Sequence, residues 1–154
     1  MTPTLKDEIR QTRPFGSLQQ EAYLGILRTA AVLEHGVSDL LKDHGITHTQ
    51  YNVLRILRGA GEKGLCRNAV RDRMVAQVPD ATRLLDRMEA MGLIRRERDA
   101  EDRRYVTARI TDEGRALLAT LDEPVARLHR GQFEGLAEKD LQALIRLLEV
   151  ARGT

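Results

Sequence analysis

A chain of 154 residues is one domain by length and can bury roughly 70% of the surface its unfolded form exposes, so its core needs neither metal nor disulfide. Twenty-two leucines against five aromatics (Phe15, Tyr23, Tyr51, Tyr105, Phe133), with 31% charged residues, exclude collagen-like, disulfide-rich and disordered classes and predict a mainly helical protein. The net charge of +2 conceals an asymmetry, because residues 51–110 carry 14 Lys and Arg against 9 Asp and Glu while the remainder carries 11 against 14. Thirteen of those 14 cations are arginine, whose planar fork suits phosphates and guanine edges. No apolar run approaches the ~20 residues that cross a bilayer and residues 1–13 hold no apolar signal core, so a cytoplasmic location without a membrane partner is expected. A single Cys66 fits a reducing compartment.

In chain order, residues 1–14 carry Pro3 and Pro14 without a sustained period and read as a mobile arm. Ser17 and Gln20 have capping-box spacing, and Ile26, Leu27, Leu33, Val37, Leu40 and Leu41 keep a helical period to about Lys42. Gly45 stops that helix. Thr47 and Gln50 repeat the capping spacing and open a second helix through Val53, Leu54, Ile56 and Leu57, closed by Gly59, Gly61 and Gly64. Cys66 to Met74 supplies a short third helix. After a break at Val75 to Val78 a fourth is expected with Pro79 in its first position. There Leu84, Leu85, Met88 and Met91 share one face, while Pro79, Thr82, Arg83, Asp86 and Ala90 lie opposite with Arg87 at the edge. Ile94 to Asp99 and Tyr105 to Ile110 read as strands of a hairpin around a charged tip, Ala100 to Arg104. Thr111, followed by Asp112 and Glu113, caps a fifth helix that Pro124 should kink or break. A last helix carries Leu141, Leu144, Ile145, Leu147 and Leu148.

Helix, tight turn, second helix with a polar outer face, then a hairpin is the layout of a winged helix-turn-helix. A major groove about 12 Å wide admits one α-helix, so Arg83 and Arg87, four residues apart on the outward face, can reach base edges. Asp80 and Asp86 are expected to offset their mutual repulsion. In the hairpin Arg95, Arg96, Arg98, Arg103 and Arg104 form a cationic flap for phosphates or the minor groove. Asp102, two residues before Arg104, is placed to hold that side chain in one rotamer and lower its docking entropy.

The stretches Gln50-Tyr51-Asn52-Val53-Leu54-Arg55-Ile56-Leu57, Pro79-Asp80-Ala81-Thr82-Arg83-Leu84-Leu85-Asp86-Arg87-Met88-Glu89 with Gly92-Leu93-Ile94, and Asp102-Arg103-Arg104 leading to Thr111-Asp112-Glu113-Gly114 resemble, in order and spacing, the multiple antibiotic resistance regulator (MarR) family. The likeness runs from about Ser17 over most of the chain. It implies a mainly α protein with a two-stranded β-wing, an obligate homodimer, and a transcription regulator, acting as a repressor, of a pseudopalindromic double-stranded DNA operator. Residues 1–46 and 111–154 would be the dimerisation helices and 47–110 the DNA-binding lobe. By position, Pro79, Asp80, Thr82, Arg83 and Arg87 would contact the major groove, Asp102 and Arg104 the minor groove, and Arg98 and Arg103 phosphates. A small phenolic or anionic effector would bind between the dimer platform and the lobe, with Arg28 and Tyr51 as candidates for its pocket. The chain departs from the family at Cys66 and Ala137, where similar proteins place a capping Ser or Thr and a Ser, and at Pro124.

Independently of the family, the leucines of the terminal helices exceed what a small lobe can cover, and the acidic balance there keeps them off DNA. Cys66, at a helix start beside Arg67, has the neighbours of a redox switch, although a half-buried structural thiol is the preferred reading. His44 and His48 do not share a helical face and no thiol joins them, so no metal site is expected. No nucleophile elbow and no converging carboxylates argue for catalysis, and neither an enzyme nor a cofactor is expected. The rival reading is a winged-helix module that binds protein through the same face.

Overall fold

The computed structural model describes residues 3–153, and the long helices and the hairpin lie close to their expected places. Helix α1 (Leu5–Glu8) is followed by α2 (Leu18–Lys42) and α3 (His48–Ala60), a 3-10 turn at Gly61–Lys63, β1 (Leu65–Cys66), α4 (Arg67–Asp72), α5 (Ala81–Ala90), β2 (Ile94–Arg98), β3 (Val106–Ile110), α6 (Asp112–Gln132) and α7 (Glu138–Arg152). The expected arm is not featureless. Thr4 and Asp7 form a reciprocal capping box that starts α1, and Glu8 receives Arg28 Nε at 3.1 Å, tying the arm to α2.

Local chemistry accounts for the boundaries. Ser17 Oγ accepts from Gln20 N and opens α2, while the Gln20 side chain turns to Gly16 N. At α3 the Thr47–Gln50 box is complete in both directions. Thr111 Oγ1 accepts from Gly114 N to start α6 and donates to the Gly92 carbonyl at 2.6 Å, joining the end of the α5 segment to the helix after the wing. One expectation fails and another holds no further than a kink, since the helix does not break. Pro79 precedes α5 instead of opening it, and Asp80 is the N-cap, its Oδ1 accepting from Arg83 N at 2.9 Å. Pro124 lies inside an unbroken α6, where packing of Leu118, Leu121 and Val125 carries the helix past one missing N–H.

The expected hairpin is β2 and β3, and a third strand, β1, is added to its sheet. β1 pairs antiparallel with β3 (Leu65 opposite Ala108, Cys66 opposite Thr107), and β3 with β2 (Ile94 opposite Ile110, Arg98 opposite Val106). A two-residue strand is too short to show a period, so sequence reading merged it with the helix that follows. Gly64, with φ +61°, enters β1 where an added Cβ would collide with the Ala108 carbonyl, and at Gly114 one would collide with that of Leu93. Both glycines let the wing and α6 close on the core.

That core is gathered under the lobe: Val37 and Leu41 of α2, Val53, Leu54 and Leu57 of α3, Leu85 and Met88 of α5, Ile94, Ala108 and Ile110 of the sheet, and Leu118, Leu121 and Val125 of α6 are all buried. By contrast α7 buries none of its 15 residues. Leu18, Tyr23, Ile26, Leu27 and Val32 on α2 are exposed, as are Ile145, Leu147 and Val150 on α7. Among the described residues no helix is long and apolar enough to cross a membrane.

Candidate nucleic-acid interface

Helix α5 is amphipathic because its apolar residues recur every three or four positions, so burying Leu85 and Met88 turns Thr82, Arg83, Asp86 and Arg87 outward. Arg83 and Arg87 are exposed, and their guanidinium groups make no ion pair or hydrogen bond among the described residues. The acids expected to accompany them are occupied elsewhere. Asp80 caps the helix, and Asp86 pairs with Arg96 of β2. Thr82 Oγ1 accepts from Arg67 Nη1 at 2.9 Å, bringing an α4 arginine to the outer face.

Arg96 is therefore not part of the cationic flap. It lies on the inner side of the wing, 22% exposed, with Nη2 donating to Asp86 and, at 3.1 Å, to Glu89, while its backbone N–H gives Glu89 a further bond of 2.7 Å. Burial disfavours its charge, but the bonds to Glu89 and Asp86 outweigh that and hold the guanidinium above its ordinary range. This cluster fixes the wing against α5. On the opposite side of the sheet Glu97 pairs with Arg95 and Arg109, and Arg109 Nε also reaches the Glu62 carbonyl at 2.8 Å.

The tip is ordered by its own acids. Asp99 Oδ1 accepts from the amides of Glu101 and Asp102 at 2.8 and 2.9 Å. Arg98 Nη1 donates to the Arg103 carbonyl at 3.1 Å, so Arg98 braces the turn. Asp102 accepts from Arg104 N, Nε and Nη2 at 2.8–3.2 Å, yet the Arg104 side chain remains 88% exposed. The Arg104 guanidinium holds the Asp102 carboxyl below its usual value, and the Asp102 and Glu101 amides do the same for Asp99. Among the described residues the Arg103 side chain makes no pair. The wing thus presents Arg103 free and Arg104 in a fixed pose, beside a helix presenting Arg83 and Arg87.

Sequence reading missed Arg67, the inward role of Arg96, and Asn52, whose Oδ1 accepts from Val75 N at 2.9 Å and holds the turn leading to α5. Only the alternation of β2, with Ile94 inward and Arg95 outward, could have signalled Arg96. Cys66 is exposed, not half-buried, because it sits on the edge strand as the N-cap of α4, and its side chain makes no capping bond.

Behind α5 a cavity of about 600 Å³ lies between α2, the start of α3, the turn at residues 74–78 and the end of α6. Neither effector candidate lines it: Arg28 pairs with Glu8, and Tyr51 is buried with its hydroxyl accepting from Arg55 at 3.1 Å. His48 does line it, with Nδ1 3.5 Å from Glu34. No group of three or more metal-ligating side chains occurs among the described residues.

A reading helix and an ordered wing on one face define a winged-helix protein. The family model of the MarR family matches residues 44–104. The HTH-type transcriptional regulator YkoM of Bacillus subtilis (strain 168) is 32% identical over 122 residues, covering 79% of this chain and 77% of YkoM. The HTH-type transcriptional repressor IacR of Pseudomonas putida is 31% identical over 72% of this chain and 65% of its own length, so the match spans just under two thirds of that relative. Among solved structures, a MarR transcription factor from Planctomyces limnophilus is 39% identical, with a TM-score of 0.68 over 89% of this chain and 99% of that one. Sco3205 of Streptomyces coelicolor, a MarR family regulator solved in complex with DNA, is 20% identical with a TM-score of 0.80, over 92% of this chain and 91% of that one. The chain belongs to the MarR family of transcription regulators.

Proposed function

We propose that the protein is a homodimeric repressor that binds a pseudopalindromic DNA operator. The observation that carries this reading is the pair Arg83 and Arg87, exposed and unpaired on the outward face of α5, next to a wing whose Arg104 is held in place by Asp102. Pro79, Asp80, Thr82, Arg83 and Arg87 address the major groove, Asp102 and Arg104 the minor groove, and Arg103 and Arg98 the backbone, with Arg98 acting chiefly through the turn it braces. Residues 47–110 are the reading lobe, and 1–46 with 111–154 the dimerisation region. Support for the dimer comes from α7, which has no buried residue, and from the exposed apolar side chains of α2. Twofold symmetry would set two reading helices about 34 Å apart, on half-sites roughly 10 bp apart. Repression rests on the likeness to IacR, named as a repressor, and DNA binding on the likeness to Sco3205, solved with DNA. Release by a small ligand would act through the cavity behind α5, because the turn at residues 74–78 both walls the cavity and leads into the reading helix.

Selection of bound sequences from random duplex DNA tests this reading. A recovered inverted repeat is the expected result, and no enrichment, with retention on DNA unaffected by salt, would favour the protein-binding alternative. For the redox alternative, operator release by peroxide that disappears in Cys66→Ser is the result required.

A further inference from the structure

We propose that the cavity behind α5 selects a cationic, largely apolar small molecule of the aryl-alkyl ammonium kind, with Glu34 as the residue that chooses the charge. The proposal rests on the effector reading for its biological consequence, but the binding claim stands on the cavity itself. Its walls are mostly hydrocarbon: Leu33, Val37, Met74, Val78 and Phe133, with several alanines between them. Among the described residues no lysine or arginine lines it, and the one lining carboxylate is Glu34. Both contacts of that carboxylate fall on one oxygen: Ser38 Oγ donates to Oε1 at 2.6 Å and His48 Nδ1 lies 3.5 Å from the same atom. Oε2 has no hydrogen-bond partner among the described residues. The Ser38 hydroxyl holds the Glu34 carboxyl below its ordinary range, so the group is negative at neutral pH.

An anionic ligand, the class expected from the resemblance, would meet that charge with only histidines to offset it. Of these, His48 already faces Glu34, and His129 Nδ1 lies 3.1 Å from Gln132 Oε1. A cation gains from the same geometry, because Glu34, with its side chain 54% exposed, keeps Oε2 open to a ligand in the cavity and its charge favours an ammonium over a carboxylate there. The ring of Phe133 adds a surface that attracts ammonium groups.

Three probes of one skeleton test the assignment by calorimetry on the full chain: 4-phenylbutylammonium, 4-phenylbutanol and 4-phenylbutyrate. The ammonium compound is expected to bind at least about tenfold more tightly than the carboxylate. In Glu34→Gln that preference should fall to within about twofold while the alcohol binds as before, showing that the cavity is intact. Equal or tighter binding of the carboxylate, a preference that survives Glu34→Gln, or no binding by any of the three would overturn the proposal. Operator release is read separately by fluorescence anisotropy. A cation that binds without lowering operator affinity sinks the effector reading and leaves the ligand class standing.

Discussion

Arginines of this lobe fall into two populations that composition alone cannot separate. Among the described residues the side chains of Arg83, Arg87 and Arg103 are unpaired, whereas Arg96, Arg98 and Arg109 are spent on internal acids and carbonyls. Arg83→Ala is therefore expected to weaken operator binding by about 1–3 kcal/mol and spare random DNA, while Arg103→Ala should weaken all sequences alike and lower the salt slope by about one. Equal losses on both DNAs for Arg83→Ala would remove it from the base-reading set. At the tip, Asp99 and Asp102 have carboxyls held below the usual 3.8, so their ionised forms support the turn at any pH above about 4 and that support disappears as pH falls through the depressed values. Carboxyl resonances followed by NMR should titrate with midpoints under 3.8, and midpoints at or above it would contradict the hydrogen bonding described. The capping acids and hydroxyls, and the Asp102–Arg104 spacing, were legible because such bonds span two or three residues. Arg67 with Thr82 and Asn52 with Val75 were not, because each joins residues 15 or more apart that only the fold brings together.

Among elements, every long helix was readable from its period, and α2, α3 and α6 also from their caps. What escaped was short or overridden by packing: α1, β1, and the continuity of α6 through Pro124. Thr111 serves two elements at once, so Thr111→Ala should cost about 1–2 kcal/mol in urea unfolding, near the top of the range for a lost N-cap. A change under ~0.3 kcal/mol would mean that water replaces both bonds. The bidentate pair of Arg58 with Asp122, at 2.8 and 2.9 Å, pins α3 to α6. Because the Asp122 side chain is about half exposed, Asp122→Asn is expected to cost only about 0.5–1 kcal/mol at pH 7. Arg58 holds the Asp122 carboxyl low, so the wild-type advantage is present above its unfolded value of 3.8 and fades as pH drops through the lower folded value.

For the molecule as a whole, one chain satisfies its lobe but leaves its terminal helices uncovered. Leu147→Glu, at an exposed position of α7, should shift the proposed dimer to monomer in sedimentation and reduce operator affinity far more than it lowers lobe stability. An unchanged sedimentation coefficient would send the search for the partner face back to α2. The leucine excess that pointed to association was visible in composition, but which residues remain bare was not, since that depends on how much of α2 the lobe itself consumes at Val37 and Leu41.

The Arg96 cluster has a wider implication for how such a surface can change. Its guanidinium keeps two carboxylates, Asp86 and Glu89, turned toward the sheet. Replacing it by methionine would remove one positive charge and leave Asp86 without its partner, while Glu89 would keep the bond it accepts from the backbone N–H of residue 96. A substitution on the inner side of the wing would thus change the charge beside the proposed reading face, whereas Arg83 and Arg87 form no ion pair or hydrogen bond among the described residues that a substitution there would disturb.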